Sequence, residues 1–330
     1  MILRLFFALL LLLVSPCLRA ADLPGISQFI DEMVAKHQFK RDELVQIFQR
    51  AQYRQAVIDA ISTPATIKPW PEYRAIFINP KRINGGLQFW QHYADTLQRA
   101  EKQYGVPQEI IVALIGVETM YGSNSGKFSV LEALTTLAFD YPRRADFFRN
   151  ELEQYLLLAR EQDFELLKVQ GSYAGAMGIP QFMPSSYRTY AVDFSGDGKI
   201  DLLHDPVDAI GSVANYLRQH GWANSEPVAV RVAIGADGYP GSLAESHTVA
   251  VWAASGVQPD KQVAADKTAR LVDFTVEEGK EFWLAFNNFN VITRYNNSDF
   301  YAMSVHQLAE ALRDASKMEK ETKPLALGER

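Results

Sequence analysis

The sequence predicts a mainly α-helical protein interrupted late in the chain by a small antiparallel β subdomain. Three observations carry that prediction. Apolar residues recur at helical spacing over most of the chain. Prolines and glycines stand where such stretches should begin and end. After Trp222 the pattern changes to alternating runs rich in β-branched residues.

Taken in order, residues 1 to 20 read as an export signal. Arg4 supplies a short basic start, Leu5 to Val14 an apolar run too short to span a bilayer comfortably, and Leu18-Arg19-Ala20 a small residue before a cut. Cys17, the only cysteine, follows Val14-Ser15-Pro16; Pro16 interrupts the small-residue box that precedes a lipid-modified cysteine, so lipidation there is the minor alternative. A cut after Ala20 leaves a cysteine-free chain, exported yet disulfide-free and held by its core alone. Amphipathic patterns then predict helices over 24–36 and 41–60. Pro64, Pro69 and Pro71 break the chain, and further helices are expected at 84–104, 107–121, 129–139, 142–162, 206–220 and 299–316. Pro107 and Pro206 suit first helical positions, while Gly105, Gly122 and Gly221 suit stops. Val228–Ile234, His247–Trp252 and Ala269–Phe274 alternate as strands within an insertion at 223–283, and a polar, frayed tail is expected from Ser316.

The net charge of −6 and the lack of a basic run argue against a nucleic-acid partner. With 12% aromatic residues, the composition is compatible with a neutral or polysaccharide ligand. The histidines show no His-x-x-x-His pair, which disfavours a zinc hydrolase. A Gly-x-Ser-x-Gly elbow and a phosphate loop are both absent.

Glu118 is the most informative residue. It ends the apolar stretch Ile110–Gly122 and shares a stripe with Ile111 and Ile115, so it should lie against the core. Desolvation and the negative end of the helix dipole both favour its protonated form, which is what a general acid for glycosidic cleavage needs. The competing reading is a core carboxylate paired with Arg143 or Arg144; on this residue alone the two are evenly matched. The segment Gly171–Tyr187 is glycine-rich at its start, allowing close backbone approach to a ligand, with Ser172, Tyr173 and Gln181 as hydrogen-bonding groups; Ser185 or Ser186 could simply cap a short helix. Asp193, Ser195, Asp197, Gly198, the Lys199 carbonyl and Ile200 match a calcium loop, which is favoured over a plain Asp-Gly turn. Position 12 is His204 rather than Glu, so Asp205 or Asp208 must close the site, although Asp205 equally suits a helix N-cap. Tyr295, Asn296 and Tyr301 can stack on and hydrogen-bond sugar rings.

Taken together, Glu118–Gly122, Gly175–Tyr187, the Asp193 loop and Arg294–Asn297 resemble the B family of bacterial lytic murein transglycosylases, over nearly the whole chain beyond residue 20. The resemblance implies a lysozyme-like helical core at 106–222 with its calcium loop at 193–208. It also implies an all-α domain built from 21–105 and from 284–330, which completes the cleft as well, and a small β subdomain at 223–283. The implied catalyst is Glu118 acting as acid and then base. Tyr73, Ser172, Gln181, Tyr216, Tyr295, Asn296 and Tyr301 fall at glycan-cleft positions. Asp193, Ser195, Asp197, Lys199 and Asp208 fall at the ligands of a structural, EF-hand-type Ca2+ site. The stretch from Lys199 to Asp205 runs one residue longer than the family pattern, which leaves Asp208 the least secure ligand.

The implied substrate is peptidoglycan, cleaved between N-acetylmuramic acid and N-acetylglucosamine without water to leave a 1,6-anhydro end. Cell-wall synthesis or division proteins are candidate partners, and the implied location is the periplasm, at the outer membrane if Cys17 carries a lipid anchor; a retained N-terminal anchor is the lesser alternative. The alternatives are a hydrolytic muramidase, if Asp140, Asp146 or Glu132 stands opposite Glu118, and a non-catalytic glycan-binding scaffold.

Overall fold

The computed structural model describes residues 19–63, 68–234 and 245–322. The expected export signal up to residue 18, Cys17, Pro64 and the end of the tail from residue 323 lie outside the described residues. Ala20, the expected cut point, is buried, and its amide donates to the Ala51 carbonyl at 2.9 Å. Among the described residues no helix is long and apolar enough to cross a membrane.

Fourteen helices in the described residues make the fold mainly α. The N-terminal set is α1 (Ile26–His37), α2 (Arg41–Arg50), α3 (Gln55–Ser62), α4 (Trp70–Phe77), α5 (Pro80–His92) and α6 (Ala94–Tyr104). The core helix α7 (Gln108–Thr119) follows, then α8 (Val130–Asp140), α9 (Ala145–Glu161), α10 (Pro184–Tyr190) and α11 (Pro206–Gln219). After α12 (Val249–Ala254), the chain closes with α13 (Asn287–Tyr295) and α14 (Asp299–Thr322). A two-residue ribbon pairs β1 (Phe128–Ser129) with β2 (Gln170–Gly171). The small sheet contains β3 (Ala229–Ile234), β4 (Ser246–Thr248), β5 (Val257–Pro259), β6 (Thr268–Val276) and β7 (Gly279–Ala285), antiparallel throughout in the order β4-β6-β7-β3-β5.

α7 is the hub. Every residue from Ile110 to Val117 is buried, and α5, α6, α11 and α14 pack around it. A helix apolar on all sides is stable only when fully surrounded, and these four neighbours provide that. The sheet buries both faces. Val272, Phe274, Trp283 and Ala285 join the main core, while Ala269, Leu271, Leu284 and Phe286 build a smaller core with Val249, Trp252 and Val257. The period-two alternation of β6 and β7 produces this division. α4 lies against the main-core face, where the Trp70 ring meets Phe274 at 4.6 Å, tilted by 39°, and its Nε1 donates to Glu281 at 3.0 Å.

Several elements differ from the sequence pattern. The helix expected over 41–60 breaks at Ala51–Arg54 without proline or glycine. There the backbone amides of Gln52 and Arg54 donate to Glu132 and Thr136 on α8, and tertiary partners replace the helical ones. The helix expected at 84–104 starts earlier, capped by Asn79, and divides at Tyr93 into α5 and α6. Only Ser246–Thr248 of the expected 247–252 strand is extended. Thr248 then caps α12, because helical spacing places Val249 and Trp252 together in the small core and leaves Val251 outside. The short helices α4 and α13 escaped the pattern, and α14 continues to Thr322 where a frayed tail from Ser316 was expected.

Gly116 and Gly86 leave room for the Tyr121 ring between α7 and α5. A Cβ at either would stand 2.6 or 2.5 Å from the Tyr121 hydroxyl. Gly116→Ala is therefore expected to cost about 1–3 kcal/mol through overpacking, read as a lowered midpoint in urea unfolding; an unchanged midpoint would mean the slot is loose.

Candidate functional site: a carboxylate among phenols

The site begins where α7 stops. Thr119 is its last residue, and Met120, Tyr121 and Gly122 follow with φ of 50°, 63° and 85°. Three consecutive left-handed residues, two of them not glycine, hold only where the surroundings fix them. Thr119 Oγ1 accepts from the Gly122 amide at 2.9 Å and donates to the Ile179 carbonyl at 2.7 Å. The Tyr121 hydroxyl donates to the Arg82 carbonyl at 2.8 Å, and the buried Arg82 guanidinium donates to the carbonyls of Gly116 and Val117. A cation on these last-turn carbonyls offsets the negative end of the helix. Sequence reasoning missed Arg82, since an arginine in a helix's first turn carries no signal of this contact.

Glu118, one residue before the stop, is half-buried. Its Oε1 accepts a hydrogen bond from the Tyr301 hydroxyl, brought in by α14 from far along the chain. Burial pushes its pKa from 4.5 up to about 7, against the smaller downward pull of the Tyr301 bond. Its partner is a phenol: among the described residues no cation forms an ion pair with it, and Arg144 instead lies over Phe147 and Phe148. Tyr73, Tyr295 and Tyr301 all have raised pKa values, mainly from burial and secondarily from the Glu118 charge.

These phenols form a wall. The Tyr295 and Tyr301 rings stack at 6.5 Å and 13°, and Tyr216 meets Tyr295 edge-on at 4.8 Å. Tyr216 is anchored by its hydroxyl to the Arg294 carbonyl at 2.7 Å, and Tyr295 by its hydroxyl to the Pro180 carbonyl. Tyr73 packs on Trp70 and Phe300. Gln181, at φ 52°, directs Nε2 to the carbonyls of Ser125 and Gly178 at 2.9 and 3.0 Å. Ser172 Oγ accepts from the amides of Ala174 and Ala176. Both therefore shape the glycine-rich loop. A groove of roughly 620 Å3 borders it, lined in part by Gly122, Ser125 and Gly178. Asn296 is exposed and forms no side-chain hydrogen bond with Glu118. Of the other acids, Glu132 binds Arg54 and the Gln52 amide, and Asp140 accepts from Tyr53. Glu151, buried on α9, takes the amide and hydroxyl of Ser185, so it rather than a serine caps α10.

A family model described as Transglycosylase SLT domain matches residues 22–310. The chain belongs to that family. It is 46% identical over 302 residues to membrane-bound lytic murein transglycosylase B of Escherichia coli, spanning 88% of this chain and 83% of the relative. Crystal structures of the E. coli lytic transglycosylase Slt35, one with bulgecin A and one with calcium, superpose with a TM-score of 0.83 at 46% identity, covering 89% of this chain and 94% of theirs. SltB3 of Pseudomonas aeruginosa, solved with NAG-NAM-pentapeptide, matches at 30% identity and a TM-score of 0.80, covering 87% of this chain and 78% of its own. The lysozyme-like, mainly helical fold expected from the sequence is the fold of this SLT-family chain.

The Asp193 loop of this SLT-family chain is closed by its own amides. Asp193 accepts from the Gly196 and Gly198 amides, which hold its carboxyl below the usual range, and Asp197 accepts from Lys199. Buried Asp208 reaches the loop from α11, with Oδ1 on the amides of Phe194 and Ser195 and Oδ2 on that of Asp201. Asp205 caps α11 by accepting from Val207. Among the described residues no three acidic, histidine or cysteine side chains converge as a ready metal cage. The donors in the loop are nonetheless carboxylate, hydroxyl and carbonyl oxygens, the hard set that suits calcium.

Because the folded-state pKa of Glu118 is raised, its protonated form favours the fold; that contribution is complete below about pH 4.5 and is lost as pH rises through about 7. An NMR titration of its carboxyl carbon should show a midpoint near 7, moving higher in Tyr301→Phe, which removes the bond that favours the ionised form. A midpoint at the free-carboxylate value would overturn this account of the site.

Proposed function

We propose that this chain is a peptidoglycan lytic transglycosylase in which Glu118 alone supplies and then recovers the catalytic proton. The observation that carries the reading is a half-buried carboxyl whose pKa burial raises to about 7 and whose hydrogen-bond partner is the Tyr301 phenol rather than a cation. Protonated Glu118 donates to the glycosidic oxygen between N-acetylmuramic acid and N-acetylglucosamine, and the bond to the anomeric carbon breaks. The neighbouring acetamido group stabilises the positive charge left on that carbon. The muramic C6 hydroxyl bonds to the same carbon and gives its proton to ionised Glu118, which closes the 1,6-anhydro ring and restores the acid. That nucleophile is already held beside the reaction centre, so the barrier lacks the entropy of recruiting water.

The Tyr301 hydroxyl stabilises Glu118 in its ionised interval, since its hydrogen bond favours the charged form. Tyr73, Tyr216 and Tyr295 offer aromatic faces to sugar rings, with Ser172, Gln181 and Asn296 as further glycan contacts. The engagement of Glu132 and Asp140 with other partners supports a single-acid mechanism over the two-carboxylate one. The substrate includes glycan bearing peptide, the kind of ligand with which SltB3 was solved.

Glu118→Gln should keep the melting temperature of the parent and lose cleavage by at least about a hundred-fold, because an amide cannot donate this proton. Mass analysis of digested sacculi should find anhydro-ended muropeptides from the wild-type chain. Products heavier by one water would instead establish a hydrolytic muramidase, and binding to sacculi without release would establish a scaffold.

Calcium in the Asp193 loop is part of the same proposal, with Asp193, Ser195, Asp197, the Lys199 carbonyl and Asp208 as the residues that would hold it. Its contribution there is structural, linking the loop to α11. The Slt35 calcium complex supports this reading, as does the all-oxygen donor set. Calcium at about a hundred times its dissociation constant should stabilise the protein by about 2.7 kcal/mol relative to chelator, seen as a raised melting temperature that Asp193→Ala abolishes. Identical melting in calcium and chelator would remove the ion from the proposal.

A further inference from the structure

A second groove, of roughly 570 Å3, opens where the turn between α2 and α3 meets the start of α8 and strand β2. Arg50, Arg54 and Lys127 line it, together with Ser129, Gln170 and a single acid, Glu132. That acid is already engaged: Oε2 accepts from Arg54 Nε at 2.6 Å, and Oε1 from the Gln52 amide at 3.0 Å. Arg50 and Lys127 are exposed and form no ion pair among the described residues. Three cations against one carboxylate leave two uncompensated positive charges, in a chain whose net charge is −6. Such a local excess opposes the overall balance and attracts anionic groups.

The position of the groove gives the charge a use. Gln170 lines both this groove and the one bordered by Gly122, Ser125 and Gly178, so the two meet at β2. Lys127 follows Ser125 by two residues, and the Ser125 carbonyl anchors Gln181. β2 then leads directly into the glycine-rich loop at Ser172. The first groove reaches Gly122, four residues beyond Glu118, and opens at Gln170 onto this second groove, a basic side channel.

We propose that this channel takes the carboxylate-bearing peptide arm of the glycan, with Arg50 and Lys127 meeting its carboxylates and Arg54 held in place by Glu132. The inference rests on the peptidoglycan reading above and extends it from the sugar to the peptide. A linear pentapeptide ends in a free carboxylate, so at least one anion is present on such an arm. Flexible exposed cations suit an arm that varies in length, and their attraction should weaken with salt.

The test uses the full chain carrying Glu118→Gln, with calorimetric affinities for NAG-NAM-pentapeptide and for peptide-free NAG-NAM. The peptide-free ligand carries its lactyl carboxyl as the methylamide, so that the ratio of the two affinities reads the peptide alone. The pentapeptide ligand is expected to bind about five-fold tighter at low salt. Arg50→Glu with Lys127→Glu should bring the ratio below about two, as should raising the salt. Lys102→Glu, a single charge reversal on α6 with half the charge change of the double variant, should leave the ratio as it was, and circular dichroism melting checks that each variant is folded. A ratio near one in the parent, or a ratio that survives the double charge reversal, overturns the inference. Release of muropeptides from sacculi by the wild-type chain is scored in parallel. Failure of the peptidoglycan reading then shows as no release, and failure of the channel as release without peptide preference.

Discussion

Keeping a carboxylate uncharged at the end of an almost wholly apolar helix is the constraint around which this structure is arranged. α7 is stable only when surrounded, and its last turn carries an acid beside carbonyls that the stopped helix leaves only partly matched. The Met120 amide donates to the Gly116 carbonyl, but the Tyr121 amide reaches back to Ile115 and not to Val117. Arg82 donates to the carbonyls of both Gly116 and Val117, Thr119 ties the turn to Ile179, and Tyr121 fills the slot left by Gly86 and Gly116. The left-handed backbone at Met120 and Tyr121 is the cost of stopping the helix so abruptly, offset by those anchors. Glu118 is thereby fixed in place while its charge is set by burial rather than by an ion pair.

The remaining elements follow from surrounding that turn. α14 and α13 return from the C-terminal end to supply Tyr301 and Tyr295, while α4 brings Tyr73 from the other direction. The five-stranded sheet supports α4 through Phe274. It contributes no group within hydrogen-bond reach of Glu118 among the described residues, and its part is to hold the wall from behind. A phenol hydrogen-bonds a carboxylate without adding a full opposite charge, so Tyr301 favours the anion without fixing Glu118 in that form.

Much of the architecture was legible in the sequence because period and punctuation are local. The helices from α7 to α9 and α11, the stops at Gly105 and Gly221, and the strands β3 and β6 could all be read from spacing alone. The failures occurred where tertiary bonds outweighed local preference. The 41–60 helix divides because Glu132 and Thr136 capture its amides, and the 247–252 run turns helical because Trp252 is needed in the small core. Ser185 is capped by Glu151, a partner thirty-four residues earlier that no local pattern reveals.

By itself the sequence determined that a carboxylate would end a buried helix, that a glycine-rich loop and an acidic turn would lie downstream, and that the chain resembled one family throughout. Those are properties of composition and of spacings of a few residues. Only the tertiary structure decided what Glu118 touches, because Tyr301 lies 183 residues away and Arg82 lies in a helix with no local reason to reach α7. The same distinction holds for charge. A proton's affinity depends on every group and every excluded water around it, so the raised pKa of Glu118 was a possibility in the sequence and became a value of about 7 only in the folded site.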